Sequence, residues 1–422
     1  MSLKSIRIET VPARIGIIGA MLLSLAGGYI FAKWCFANAA VVRAEYKEIA
    51  DLAVDLAPSD PQTHFTSAIL LEKTFLPGDL EKSVAEYERA TSLAPNNYVL
   101  WLALGRARER SGDAEGGEKA VRRAAELAPN YAQVRWTLGN ILLRQGKIDE
   151  AFAEIRQAAQ ADPNFINPAI SSAWQFFDGD TRRIKQIVGD SAAVNASLAS
   201  FLAGQKRFDE AIEVWNSLSA ESKQTDFKQI GEQLSQQLLA EKKYRAARQL
   251  SAPIVDSAPK TDIEQIANGN FETDVRTEKA GIFEWQFGGG NHPQIGLDNQ
   301  QKRGGERSLL LIFNSDNGKE FRQISQTVIV EPGKKYQLSF FYKSDLKTPT
   351  TVRWEILNTP DGKILATAPA IGTQADWTAA SVSFNAVAEA VTIRLVRDNC
   401  KSPICPISGK VWFDDFSLSK TN

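Results

Sequence analysis

The sequence predicts a multidomain protein: one N-terminal transmembrane helix, an all-α solenoid of paired helices, then an all-β sandwich of jelly-roll type. Three observations carry that expectation. Residues 15–32, IGIIGAMLLSLAGGYIFA, contain no charge. Pro95, Pro129 and Pro163 recur at steps of 34 in the similar segments SLAPNNY, ELAPNYA and QADPNFI. After residue 262, helical periodicity gives way to short alternating runs separated by Gly, Pro, Asn and Asp.

At 422 residues the chain is long enough for two or three domains, each with its own core. A formal net charge of -1 provides no electrostatic footprint for nucleic acid, so no such partner is expected. Two histidines, His64 and His292, and three cysteines, Cys35, Cys400 and Cys405, leave few candidates for zinc or His-dependent acid–base chemistry.

The apolar run follows a basic segment, residues 1–14, that holds Lys4, Arg7 and Arg14; Lys33 and Trp34 come after it. With its flanks it just spans a bilayer, which takes roughly 20 residues of helix. It is longer than the roughly 7–15 apolar residues of a cleaved signal. Ala37-Asn38-Ala39 is a small-residue site that keeps cleavage open, and no lipobox precedes Cys35. The expectation is an uncleaved signal anchor over 15–36. Arg43 and Lys47 nearly balance the flanking charge, so the positive-inside rule favours a cytoplasmic N-terminus only weakly. Cys400 and Cys405, in NCKSPICP, are close enough to staple a loop. Bridged, they put the body of the protein in an oxidising space, a periplasm or the exterior; the alternative is two unrelated thiols.

Between the prolines, WLALGRARERSGDAEGGEKAVRRAAELAP (101–129) and WTLGNILLRQGKIDEAFAEIRQAAQADP (136–163) each read helix, turn, helix. The pattern closely resembles the tetratricopeptide repeat. Its signature positions hold Trp101, Leu104, Gly105, Ala124 and Pro129 in one unit, and Leu138, Gly139, Ala151, Ala158 and Pro163 in the next. Small residues let the two helices approach, and proline stops the second. Arg108 and Gly117 depart from the consensus Tyr and Ala. An earlier copy opens at LAPSDPQTHF, with Pro58, Pro61 and Ala68, and resumes with Tyr87, Ala90 and Pro95. Residues 166–190 lose the pattern. SLASFLAGQKRFDEAIEVWNSL (197–218) recovers it, and 227–250 is a weaker last copy. The repeats are thus expected to stack as a solenoid over 42–258.

The resemblance implies a protein or peptide partner on the inner surface lined by first helices. Projected onto this sequence, that surface holds Phe65, Ile69, Leu102, Arg106, Trp136, Asn140 and Arg144. Inter-repeat packing is the competing role for each. Leu102 and Trp136 stand where chaperone-type repeats carry carboxylate-clamping lysines, which disfavours a chaperone-tail adaptor.

Beyond a linker over 259–263, the runs RSLLLIF, QISQTVIV, YQLSFFYK, TVRWEIL, ASVSFNA, VTIRLV and KVWFDDFSL read as strands of an antiparallel two-sheet sandwich over 264–420. The ordered landmarks IANGNFE, GIFEWQF, GGERSLLL, ISQTVIVEPGKKYQLSFFYK and VWFDDFSL resemble the galactose-binding-like jelly rolls of carbohydrate-binding-module type. That resemblance implies a core role for Trp285 and a core strand opening at Gly305-Glu306-Arg307-Ser308-Leu309. It also implies that NGNFE and the terminal DD segment lie side by side and hold a structural calcium ion.

Strand parity puts Asp414 on one face with Trp412, Phe416 and Leu418, and Asp415 on the other with Phe413 and Ser417. A carboxylate on an apolar face needs a cation or several donors. Calcium shared by Glu272 and Asp414 is one reading, a hydrogen-bonded strand-end acid the second, and a catalytic acid the least favoured. Parity also leaves Phe341, Lys343, Arg353, Glu355 and Arg394 outward as candidates for glycan contact, while Trp285, Trp354, Trp377 and Trp412 are expected in the core.

The combined reading is a non-enzymatic, membrane-anchored scaffold of a bacterial envelope. Its body lies outside the inner membrane; its repeats bind a protein and its sandwich contacts polysaccharide, in exopolysaccharide assembly or export. The alternatives are a pure protein-assembly scaffold and a polysaccharide-processing enzyme.

Overall fold

The computed structural model describes residues 10–74, 76–251, 263–317, 321–400 and 404–421. The basic residues up to position 9, and the expected linker apart from residue 263, lie outside them. The chain divides into two compact units, Met1–Val194 and Asn195–Asn422.

The first unit is helical. Its elements are α1 (Val11–Val42), α2 (Lys47–Leu56), α3 (Pro61–Thr74), α4 (Asp79–Leu93), α5 (Tyr98–Arg110), α6 (Ala114–Leu127), α7 (Ala132–Arg144), α8 (Ile148–Ala161), α9 (Ile166–Phe176) and α10 (Thr181–Val188). Local chemistry sets the boundaries. Asn97 and Asp113 cap α5 and α6 by accepting the N–H groups of Val99 and Gly116. Pro95, Pro129 and Pro163 each stand two residues beyond the end of α4, α6 and α8, where the hydrogen-bond ladder has to stop. Small residues do what the repeat pattern requires. A Cβ on Gly139 would lie 2.6 Å from Ile155 Cγ1 and 2.9 Å from the Ala151 carbonyl oxygen. On Gly105 it would meet Val121 Cγ2 at 2.3 Å. Helices α7 and α8, and α5 and α6, therefore pack at a separation that only glycine permits.

The second unit begins within α11 (Ala192–Gly204) and continues through α12 (Phe208–Asn216), α13 (Ala220–Gln224), α14 (Lys228–Ala240) and α15 (Tyr244–Ser251). Ala199, Ala211 and Trp215 are buried, as the recovered repeat pattern requires. Helix α15 belongs to the same compact unit as the sandwich. Arg245 donates its backbone N–H to Glu389 and its guanidinium to Glu264 and the Val330 carbonyl. Lys420, from the last strand, pairs with Glu264 and Glu331.

Among the described residues the sandwich has ten strands: β1 (Gln286–Phe287), β2 (Gln294–Asp298), β3 (Ser308–Asn317), β4 (Ile324–Ile329), β5 (Lys335–Ser344), β6 (Val352–Asn358), β7 (Ile364–Thr367), β8 (Gln374–Asn385), β9 (Ala390–Arg397) and β10 (Ile404–Thr421). They form two five-stranded antiparallel sheets, ordered β1-β4-β9-β6-β7 and β2-β3-β10-β5-β8. Alternating side chains fill the space between them, among them Leu338, Phe340 and Tyr342 from β5, and Val352, Trp354 and Ile356 from β6. Trp285 is buried against Phe271 and donates its indole N–H to the Asn268 carbonyl. Each such side chain contributes about 1.5–3 kcal/mol through burial.

Strand β10 departs from simple alternation. Asp414 pairs with Phe341, yet the next aligned pair is Ser417 with Ser339, so β10 carries one extra residue. Asp415 takes up the bulge at φ 51°. Phe413 and Phe416 consequently both face the core, with their rings 5.9 Å apart. The expected grouping of Asp414 with Phe416 is therefore corrected: Asp414 pairs across from the outward-facing Phe341.

Candidate functional site

The outer face of the β10-containing sheet is covered by the segment 298–307. Trp412, expected in the core, lies on this face instead, and its indole N–H donates to Asp298 at 2.7 Å. Lys343 reaches the Gln301 side chain at 2.9 Å. The Arg303 guanidinium stacks 3.7 Å above the Phe341 ring and pairs with Asp415. Phe341 is thus an outward aromatic whose face is already occupied. Trp377, also expected in the core, is half-exposed on edge strand β8.

The two acids proposed as metal ligands hold the second half of this segment. Asp414 is fully buried. Its Oδ2 accepts the N–H groups of Arg303 and Gly304, at 3.0 and 3.4 Å, and its Oδ1 accepts that of Asp415 at 2.8 Å. Burial pushes its carboxyl above the ordinary 3.8, against the pull of those three N–H groups. Glu272 Oε1 accepts the N–H groups of Glu306 and Arg307, at 2.9 and 3.3 Å. NGNFE does run beside the DD segment, since the Phe416 N–H donates to the Gly269 carbonyl at 2.9 Å. Glu272 Oε2 takes no hydrogen bond among the described residues, and Asp414 Oδ1 keeps one lone pair. Both acids therefore retain an oxygen suited to a hard cation. Among the described residues no group of three or more Asp, Glu, His or Cys side chains gathers there, so carbonyl oxygens would have to complete a shell.

The remaining glycan candidates lie on the other sheet, so the five candidates do not form one site. Glu355 on β6 is the centre of a charged group. It accepts from Arg394 on β9 at 2.9 and 3.1 Å and from Arg353 at 3.3 Å, and Arg353 also pairs with Asp398. Glu355 faces outward as parity requires, but its two arginine partners bury it to 4 % exposure. Ser325 on β4 and Thr367 on β7 flank the row in register with Arg394 and Glu355. Hydroxyls, guanidinium and carboxylate thus line one strip across four strands.

On the repeats, Phe65 and Ile69 are half-buried against Tyr87, and Trp136 against Phe165. Asn140 bonds back to the Trp136 carbonyl. Arg106 donates to Thr137 at 3.0 Å, and Arg144 pairs with Glu109 at 2.5 Å. Leu102 is corrected from groove to core: it packs with Val121, Ala124 and Leu138. The arginines lie beside acids that the residue projection did not include, Glu109 and Glu72, the latter paired with Arg110 at 2.5 Å.

Cys400 and Cys405 are joined as a disulfide, with Cα atoms 6.1 Å apart. Arg397 donates to the Cys405 carbonyl at 2.7 Å and lies 3.0 Å from its sulfur. Cys35 is free and exposed.

Comparison with known proteins agrees with this geometry. Residues 264–396 match the family model of a carbohydrate binding domain, and residues 77–132 and 102–164 match that of the tetratricopeptide repeat. No curated protein matches the chain. Among solved structures, one described as "CBM4 structure and function" is 18% identical, over 37% of this chain and 99% of its own, with a TM-score of 0.28. A MamA protein is 13% identical over 52% of this chain and 96% of its own, with a TM-score of 0.31. MamA from Desulfovibrio magneticus RS-1 is 12% identical over 44% and 92%, with a TM-score of 0.29. Likenesses this low add nothing to what the geometry shows. The chain carries tetratricopeptide repeats, a protein-interaction module, in its helical part and a carbohydrate binding domain in its C-terminal sandwich.

Proposed function

We propose that this protein is a non-enzymatic scaffold anchored in a bacterial inner membrane, with its body in the periplasm or exterior. Its repeats bind a protein partner and its sandwich contacts a polysaccharide, in exopolysaccharide assembly or export. The observation that carries the glycan reading is the Arg353–Glu355–Arg394 group on the outward face of a carbohydrate binding domain. Glu355 holds the two guanidinium groups, so their donors meet sugar hydroxyls already oriented. A calcium ion shared by Glu272 and Asp414 belongs to the same proposal and has a structural role, clamping the segment 298–307.

The test is a glycan array probed with the detergent-solubilised full chain and with Arg394→Ala. Binding that is selective for some polysaccharides and lost in the variant is the expected result. Uniform absence of binding rejects the glycan contact. The pure assembly scaffold is the second reading, favoured by the arginine that covers Phe341.

A further inference from the structure

Helix α1 is continuous over Val11–Val42, and its two parts differ in burial. No residue of its apolar window is buried inside the protein. The last turns contain buried residues. Ala37 is fully buried and Val41 nearly so, in one cluster with Ala53 and Ala57 of the α2 region, with Ala40 and Leu56 packed against it. Asn38 donates to Asp60 at 2.8 Å, and Asp60 in turn accepts the Gln62 N–H at the start of α3. Between the two parts stand Lys33 and the exposed Trp34, the residue types that settle at a bilayer interface. From Lys33 to Val42 the helix extends about 15 Å past its uncharged stretch.

We infer that α1 is a retained membrane anchor whose last turns are the first helix of the repeat stack, so that bilayer and solenoid meet on one helix without a linker. The inference rests on the membrane reading of the uncharged stretch proposed above and goes beyond it. Removal after Ala39 would take away Ala37 and Asn38, a core residue and the partner of Asp60. Ala37 of the small-residue site is small because two helices pack there: it has no exposed surface. The occupant of the exposed apolar part is a lipid bilayer. It is continuous with a helix that the repeats hold in place, and it contains no charged group that water would have to solvate.

The test uses the full chain expressed in a bacterial host. Membranes washed with alkaline carbonate are expected to retain it, and intact mass is expected to include residues 1–39. A mature N-terminus at Ala40 would overturn retention. A full-length chain washed off the membranes would instead overturn the membrane reading on which the inference rests. Hydrogen exchange in nanodiscs of phosphatidylethanolamine and phosphatidylglycerol tests the packing separately. Amides 36–42 are expected to be protected, and Ala37→Glu to speed their exchange about tenfold while the protein stays in the membrane fraction. Equal exchange in the two proteins would overturn the fusion of anchor and repeats.

Discussion

The Arg303 guanidinium lies 3.7 Å above the Phe341 ring and pairs with Asp415 across 112 residues of sequence. One side chain thereby covers the outward aromatic of β5 and neutralises the acid at the bulge of β10. Replacing it with alanine is expected to lower the stability of the sandwich by about 1 kcal/mol, the sum of an exposed cation–π contact and an exposed ion pair. Urea unfolding followed by near-UV signals of the sandwich measures this. A gain in glycan affinity in the same variant would identify Phe341 as a platform that Arg303 masks.

Asp414 satisfies three backbone N–H groups that are otherwise buried or constrained. Asp414→Ala leaves them without an acceptor and is expected to cost about 2–4 kcal/mol. With calcium at the site, calcium at a hundred times the dissociation constant stabilises the wild-type protein by about 2.7 kcal/mol and so raises its thermal midpoint. Chelation reverses the gain, and Glu272→Gln abolishes it. Calorimetry with and without chelator reads both effects, and a midpoint indifferent to calcium would leave the N–H groups as the whole of the latch.

Gly139 stands where a Cβ would meet the Ala151 backbone at 2.9 Å, and backbone yields less readily than the end of a flexible side chain. Gly139→Ala is expected to force α7 and α8 apart and cost about 1–3 kcal/mol. Circular dichroism melts of the full chain should show an earlier loss of helix. An unchanged helical transition would mean that the repeat relaxes around the methyl group.

Glu118 on α6 pairs with Arg122 at 2.8 Å and with Lys147 of the next helical pair at 2.7 Å. Burial raises its carboxyl, but the hydrogen bonds from Lys147 and Arg122 more than offset this, and the group titrates below the ordinary 4.5. A depressed acid contributes stability that is present above 4.5 and lost as pH falls through its folded value. Glu118→Gln is therefore expected to destabilise the repeats by about 1 kcal/mol at pH 7. The difference should vanish as pH falls well below 4.5, and chemical unfolding at the two pH values checks it. A cost that does not depend on pH would assign the role of Glu118 to packing.

Much of the architecture was legible in the chain itself. The 34-residue spacing of Pro95, Pro129 and Pro163 located helix ends because proline acts on its own turn. The smallness of Gly105 and Gly139 located helix contacts because the paired helices are adjacent in sequence. Alternation in YQLSFFYK and TVRWEIL assigned faces correctly, since each side chain is oriented by its own strand. The outward position of Arg353, Glu355 and Arg394 followed from that alternation alone.

The tertiary structure decided what depends on residues distant in the chain. The bulge at Asp414–Asp415 turns Phe413 and Phe416 to the same side, because pairing with β5, not local alternation, sets the register there. Arg303 occupies Phe341 and backbone N–H groups occupy Asp414 because a segment more than a hundred residues earlier folds over β10. Leu102 left the groove because the next helical pair buries it. The apolar N-terminal run identified a helix that can enter a bilayer. Only its packing through Ala37 and Asn38 showed that the same helix continues into the repeats, since burial is a property of the neighbours and not of the segment.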